Sequence, residues 1–301
     1  MTFLSPTPFI KKHTPFNQIT FINLLGINKK KMVQKTRPWG GTLTVVVVVI
    51  VVAVVTCLSN ITFRKNNTNC YTIQSPISPQ FSQNLHFDVY SKQFRDNNLV
   101  HIKDVFREEY FHILQNEIAT ILRSKSTHRN HLFSGIRKAE TLTASDLMSS
   151  KIIADLYYSS LFIDFLKKIA LLNLETVNCD DQSSMNLLVY NKPDDFIAWH
   201  HDPNHYTGKR LTILISIVNT NSSGTALSSS QLEYKDTRGE IHSIQMAANS
   251  ILVFNGSLVE HRATGISDGD SRIVLSFTYC DECRETFFGN LWKRLKETVL
   301  Y

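Results

Sequence analysis

The sequence predicts a mainly β fold with flanking helices, a sandwich or barrel of seven or eight short strands, preceded by a single transmembrane helix. Three features of the 301-residue chain carry that expectation. Residues 38–63 form a run of 26 residues without a charge. Apolar residues at helical spacing follow between residues 107 and 171. From residue 184 the pattern changes to short β-rich runs separated by turn-forming clusters.

The uncharged run centres on LTVVVVVIVVAVVTCL at 43–58. A helix rises about 1.5 Å per residue and needs roughly 20 apolar residues to cross the hydrocarbon, so the run suffices. Its valines are poor helix formers in water, but in lipid every backbone amide must be satisfied within the segment. Lys29, Lys30, Lys31, Lys35 and Arg37 precede it and only Arg64 and Lys65 follow closely, which orients the N-terminus to the cytosol and the rest to a lumen. The chain accordingly divides into a basic cytosolic segment (1–38), a transmembrane signal anchor (39–62), a stalk rich in Ser, Asn, Thr, Pro and Gln (63–86) and a folded domain (87–301). The alternative is secretion after signal cleavage, with Met32 rather than Met1 as the start. Four sequons, at Asn60, Asn66, Asn221 and Asn255, fit a glycoprotein of the ER and Golgi.

The net charge of +6 belongs to the leader. Residues 1–70 hold nine Lys/Arg and no acid, which leaves 23 Lys/Arg against 26 Asp/Glu in the remainder, a net of −3. The folded part lacks the basic footprint of a nucleic-acid binder, so nucleic acid is disfavoured as a partner. Of the five cysteines, Cys57 ends the apolar run, and Cys70, Cys179, Cys280 and Cys283 can pair in an oxidising lumen. The CxxC at Cys280 and Cys283 has no second pair to complete a zinc knuckle, which leaves a structural bridge or idle thiols.

Within the domain, residues 99–102 read as a strand, Asp104 as a helix cap, and 107–122 as an amphipathic helix burying Phe111, Leu114, Ile118, Ile121 and Leu122. A second helical block covers 144–171 with a break near Ser159-Ser160, and its apolar positions are expected in the core. Strands are expected at 185–190, 196–199, 211–218, 230–234, 241–246, 250–254 and 272–279, and a closing helix at 291–300.

In the β region, His200-x-Asp202 and the later His261 supply two imidazoles and one carboxylate. This is the ligand set of a mononuclear non-haem Fe(II) centre, which leaves positions open for a co-substrate and O2. Successive strand residues face opposite sides, so His200 and Asp202 point together while His201 points away. The triplet alone is a weak signal, and its context raises it. His261 lies 59 residues beyond Asp202 and follows a buried-looking strand, and Arg272 lies eleven residues further, opening the last strand. A dicarboxylate held to a metal by one end needs a fixed cation at the other, for which arginine offers a bidentate fork. Tyr190, ten residues before His200, ends a strand from which its hydroxyl can reach the same carboxylate.

These residues resemble the Fe(II)/2-oxoglutarate-dependent dioxygenase superfamily, through YNKPDDFIAWHHD at 190–202, GKRLTILISI at 208–217, and NSILVFNGSLVEH with SRIVLSFTY at 249–279. The resemblance spans about residues 87–285 in organisation, with its specific motifs in 185–280. It implies a double-stranded β-helix (a distorted jelly roll), with iron bound by His200, Asp202 and His261. It also implies that Arg272 binds the C5 carboxylate of 2-oxoglutarate, assisted by Tyr190 or Ser276, with O2 as co-substrate and ascorbate as a candidate reductant. The implied reaction is hydroxylation of a C–H bond in a peptide or small molecule, coupled to decarboxylation of 2-oxoglutarate to succinate.

Branches of the superfamily differ at readable positions. Around Trp199–Asp202 the chain is similar to AlkB-type nucleic-acid demethylases, but their second arginine is absent from the last strand, where Val274, Ser276 and Thr278 stand. The prolyl-hydroxylase-like branch shares the layout and the lumenal setting, although its members often carry Lys where Arg272 stands. Halogenating relatives replace the metal-binding carboxylate with a small residue to admit halide, so Asp202 favours hydroxylation. The alternatives are a nucleic-acid demethylase and a non-catalytic jelly-roll binding module.

Each neighbour carries two readings. Trp199 is a wall of the site or a core residue, and His205 and Tyr206 touch substrate or belong to an exposed loop. Arg210 and Thr212 touch co-substrate or substrate, or form a solvated strand end. Glu260 orients ligands or is a surface carboxylate. The Ser-rich loop 219–230 is a lid or a plain connection.

Overall fold

The computed structural model of the protein describes residues 87–128, 135–178, 180–286 and 289. The expected cytosolic segment, transmembrane anchor, stalk and closing helix lie outside these residues, as do Cys57, Cys70 and Cys179. Among the described residues no helix is long and apolar enough to cross a membrane. In chain order the elements are Phe87–Asn97 (α1), Leu99–Ile102 (β1), Glu108–Ser124 (α2), Glu140–Leu142 (β2), Ala144–Leu147 (α3), Lys151–Tyr157 (α4), Ser160–Ala170 (α5) and Glu175–Thr176 (β3). The β-rich half follows with Met185–Tyr190 (β4), Ile197–His200 (β5), Arg210–Thr220 (β6), Leu232–Lys235 (β7), Ile241–Ile244 (β8), Ser250–Phe254 (β9), His261–Ala263 (β10) and Ser271–Cys280 (β11).

All strand pairs are antiparallel. A seven-stranded sheet runs in the order β1-β9-β6-β11-β4-β2, with β3 added beside β11, and a four-stranded sheet runs β5-β10-β7-β8. Alternation along the central strands gives the large sheet two different faces. Leu211, Ile213, Ile215 and Ile217 of β6, with Leu275, Phe277 and Tyr279 of β11, join the core beneath the helices. The intervening Arg210, Thr212 and Leu214, with Arg272, Val274 and Ser276, line a cavity on the other face.

The helices dock through aromatic rings. Phe277 packs edge-on against Tyr157 of α4 at 5.2 Å between centroids. The Tyr157 hydroxyl donates to the Thr278 carbonyl at 3.0 Å, and the Tyr279 hydroxyl donates to the Tyr157 carbonyl at 2.8 Å. The helical block expected at 144–171 is three helices rather than one broken once. Ser150 and Ser159 interrupt it because each side chain accepts a backbone N–H three residues on, from Ile153 and Phe162, and so starts a new helix. Asp104 is not a cap. It adopts a left-handed φ of 51°, and the chain after it docks on Asn249, whose side chain accepts the Phe106 N–H at 2.9 Å. The helix then starts with Arg107 in the N-cap position. The short strands β2, β3 and β10 carry no sequence pattern long enough to read.

The CxxC forms a disulfide between Cys280 and Cys283, with Cα atoms 5.3 Å apart. The bridged turn grips the start of β6. Asp281 accepts the Lys209 N–H at 2.6 Å, and the Glu282 carbonyl accepts the Gly208 N–H at 3.0 Å.

Phe277→Ala is expected to lower the unfolding free energy by about 3–5 kcal/mol, because it opens a cavity between sheet and helices. Urea denaturation of the purified protein measures this, and a loss under about 1 kcal/mol would contradict the packing described.

Candidate metal and co-substrate site

The facing sheets bring the three residues together. In the small sheet His261 of β10 is the direct cross-strand partner of His200 at the end of β5, and the rings lie 4.2 Å apart between centroids. Asp202 follows two residues after His200, where its N–H donates to the Gly256 carbonyl at 2.8 Å. One ligand atom from each of His200, Asp202 and His261 lies within 4.8 Å of the others. His201 is exposed, as the alternation rule requires.

Both imidazoles are oriented by the main chain. His200 Nδ1 lies 2.8 Å from the Ala198 carbonyl, and His261 Nδ1 lies 2.9 Å from the Val259 carbonyl. A carbonyl only accepts, so the proton sits on Nδ1 and the Nε2 lone pair of each ring is left for a metal. Burial pushes the His261 imidazole down to about 4, against the raising effect of Asp202, so the ring is neutral at neutral pH. Burial raises the Asp202 carboxyl, but Arg210, His261, His200 and the Thr212 hydroxyl together outweigh it and hold the group well below the usual carboxylate range. Two imidazoles and one carboxylate fit a divalent cation such as Fe(II).

The same cavity, about 240 Å³ in volume, holds Arg272. This guanidinium is 2% exposed, has no carboxylate partner among the described residues, and donates to the Ser230 hydroxyl at 3.3 Å. Its Cζ lies 4.9 Å from the centre of the Tyr190 ring, its cross-strand neighbour. Burial pulls the Arg272 guanidinium down from its ordinary range. A buried cation that lines a cavity with no carboxylate paired to it is a receptor for an anion. Ser276 lies on the same wall, half-buried, and opposite Asn186 in the sheet.

Arg210 and Thr212 are buried and line the cavity, so they are not a solvated strand end. His205 and Tyr206 are buried away from it, and the Tyr206 hydroxyl donates to Asp181. Trp199 is outside the cavity, with Lys235 Nζ at 4.9 Å and Arg262 Cζ at 4.8 Å from its ring. Glu260 pairs with Lys235 at 2.7 Å, and backbone carbonyls do the orienting proposed for it. The loop after β6 is a clamped connection between β6 and β7. Asp270 pins it by accepting the Ser222 N–H at 3.1 Å and the Ser229 N–H at 2.7 Å, which places Ser230 against Arg272. The sequon residue Asn255 is 3% exposed and its side chain accepts the Ser257 hydroxyl at 2.8 Å, so the folded domain does not present it.

Sequence reasoning missed several lining residues. Asn186 and Leu188 were readable, because they alternate in phase with Tyr190 on β4. Phe254, edge-on to His261 at 4.7 Å, ends the predicted run 250–254. Arg137 had no signal, since it reaches the cavity from irregular chain bridged to Ile197. A second cluster, Asp236, Glu240 and His242, lies on the β7–β8 hairpin and is accounted for by the turn, where Asp236 accepts from His242 Nε2 at 3.1 Å.

This arrangement of two antiparallel sheets is the fold of the non-haem 2-oxoglutarate oxygenases. The alpha-ketoglutarate-dependent epimerase SnoN from nogalamycin biosynthesis is similar at a TM-score of 0.54 and 14% identity, over 65% of this chain and 82% of that one. A prolyl hydroxylase from Trichoplax adhaerens, solved with a hypoxia inducible factor peptide, is similar at 0.51 and 15% identity, over 65% and 89%. An oxidoreductase of the 2OG-Fe(II) oxygenase family from Burkholderia pseudomallei is similar at 0.51 and 11%, over 72% and 100%. The chain belongs to the Halogenase D (HalD) family, which its residues 82–286 match. No curated protein matches it.

Asp270 is held below its ordinary value of 3.8, first by the Ser229 N–H and against the effect of burial. A depressed folded pKa contributes stability above the ordinary value and loses it as pH falls through the folded value. Asp270→Asn is therefore expected to lower Tm at neutral pH and to narrow its gap to the wild type below about pH 3.8. Calorimetric melting across pH checks this, and a constant gap would show that the carboxylate does not clamp the loop.

Proposed function

We propose that the protein is an Fe(II)- and 2-oxoglutarate-dependent dioxygenase that hydroxylates a C–H bond of a small-molecule or peptide acceptor. The observation that carries this reading is the pairing, in one cavity, of the His200, Asp202 and His261 cluster with an acid-free buried Arg272. His200, Asp202 and His261 would hold the metal, and Fe(II) bound by three such ligands would have room for the keto acid and O2. Bound Fe(II) would supply O2 activation coupled to loss of CO2 from 2-oxoglutarate, giving succinate and a hydroxylated acceptor. Arg272 fixes the far carboxylate of the co-substrate, with Tyr190 against its face and Ser276 beside it. Leu188, Leu214, Leu232, Val274 and Phe254 keep the cavity apolar, which strengthens that charge contact. Arg137 has no acid partner among the described residues and stands at the cavity wall near the exposed Ile136, which favours an acceptor with an anionic group.

Membership of the Halogenase D family favours a second reading, halide transfer. Asp202 speaks against it, because its carboxylate fills the position a metal-bound halide would need. Fe(II), 2-oxoglutarate and ascorbate, supplied with acceptor pools in the presence of chloride, separate the readings by product mass. Hydroxylated product and succinate are expected, both lost in Asp202→Ala and His261→Ala. Arg272→Ala is expected to raise KM for 2-oxoglutarate by about 10- to 100-fold, the cost of a buried charged hydrogen bond. Arg137→Gln is expected to raise KM for the acceptor alone. Chlorinated product would establish halide transfer, and no succinate with any pool would favour a non-catalytic binding module.

The uncharged run and its flanking cations support a single-pass anchor with the domain in the ER or Golgi lumen. Glycosidase treatment of the expressed protein is expected to shift its mobility through Asn60, Asn66 or Asn221. Protease accessibility of the domain from the cytosolic side of intact microsomes would reverse this topology.

A further inference from the structure

Asp202 stands beyond the end of β5, where no strand ladder fixes it. We propose that Gly256, Thr212 and Arg210 form a seat that fixes the Asp202 carboxylate as a one-oxygen ligand and thereby determines that this centre has three protein ligands. The inference rests on reading His200, Asp202 and His261 as a metal centre, and it adds what holds the third ligand in place.

Gly256 supplies the space. A Cβ at this position would lie 2.7 Å from Asp202 Cγ and 2.8 Å from Asp202 Cβ, with Oδ2 closer still. The φ of Gly256 lies outside the left-handed region, so glycine is needed for room and not for backbone freedom. The Gly256 carbonyl also takes the Asp202 N–H at 2.8 Å, so one residue both ties the backbone and clears the side chain.

Thr212 and Arg210 supply the direction. The Thr212 hydroxyl donates to Asp202 Oδ2, and Arg210 Nη1 lies 3.9 Å from the same oxygen. Arg210 is itself fixed, donating to the Pro203 carbonyl at 2.9 Å and to the Thr278 hydroxyl at 3.0 Å. The other oxygen, Oδ1, faces the imidazoles, 3.7 Å from His200 Nε2. With Oδ2 engaged by the seat, the carboxylate offers one oxygen and occupies one position. Any side chain at residue 256 pushes the carboxylate out and leaves a two-histidine centre open to an outside anion.

The test uses full-length protein in detergent, metal-free, titrated with Co(II) and followed by calorimetry and visible absorption. Thr212→Val is expected to weaken Co(II) binding by about 10- to 100-fold, the range for loss of a group that orients a ligand. Thr212→Ser is expected to restore the affinity. Gly256→Ala is expected to change the Co(II) spectrum and to let azide perturb it at lower concentration than in the wild type. A merely structural role would lower the metal-free Tm of Thr212→Val without changing the bound spectrum or the affinity, and that result overturns the seat. Wild-type affinity, spectrum and azide response in both Thr212→Val and Gly256→Ala overturn it as well. Equal Co(II) uptake by wild type and His261→Ala would instead overturn the metal centre itself, so the two failures are distinguishable.

Discussion

The antiparallel register that sets His261 opposite His200 is the constraint on which the site depends. Cross-strand partners approach within about 5 Å, so the pairing delivers two imidazoles to one point without help from any loop. A one-residue slip would turn one histidine to the other face. That register is held from both sides, since β10 also pairs with β7, where Tyr234 stands opposite His261. The carbonyls of Ala198 and Val259 then fix which nitrogen each ring presents. The placement of the two imidazoles is thus written in backbone pairing, whereas Asp202 also relies on the side chains of Thr212 and Arg210.

Charge placement follows from the same sheets. β4, β6 and β11 turn their odd and even residues to opposite faces, apolar beneath the helices and mixed toward the cavity. Arg210 and Arg272 both point inward, yet their surroundings differ. Among the described residues, Arg210 is spent on Asp202, Pro203 and Thr278, whereas Arg272 meets a tyrosine ring and a serine hydroxyl. Of these two arginines, Arg272 is the one without an acid partner among the described residues. The Asp270 clamp on the serine-rich loop and the disulfide turn at the start of β6 hold these two arginine strands at their ends.

Much of this was legible in the sequence because it rests on local pattern. Period-two runs placed β4, β6, β9 and β11 to within a residue or two, and alternation separated His200 from His201. What stayed hidden depends on contacts distant in sequence. β10 is three residues long and carries no periodicity, so the pairing of His261 with His200 could not be read. Glu260 adjoins His261 and left two readings open, and only the fold shows that it pairs with Lys235. His205 and Tyr206 looked like loop residues, and Asp181 buries the tyrosine hydroxyl from 25 residues upstream. Gly256 gave no functional signal, since an Asn-Gly pair reads as a turn, and its role is visible only as the space beside Asp202.

The most direct test is anomalous diffraction at the iron edge from crystals grown anaerobically with Fe(II) and 2-oxoglutarate. One strong peak per chain is expected, bounded by His200 Nε2, Asp202 Oδ1 and His261 Nε2, with the co-substrate extending from it to Arg272. No peak at that point, or a peak only at Asp236, Glu240 and His242 on the β7–β8 hairpin, would contradict it.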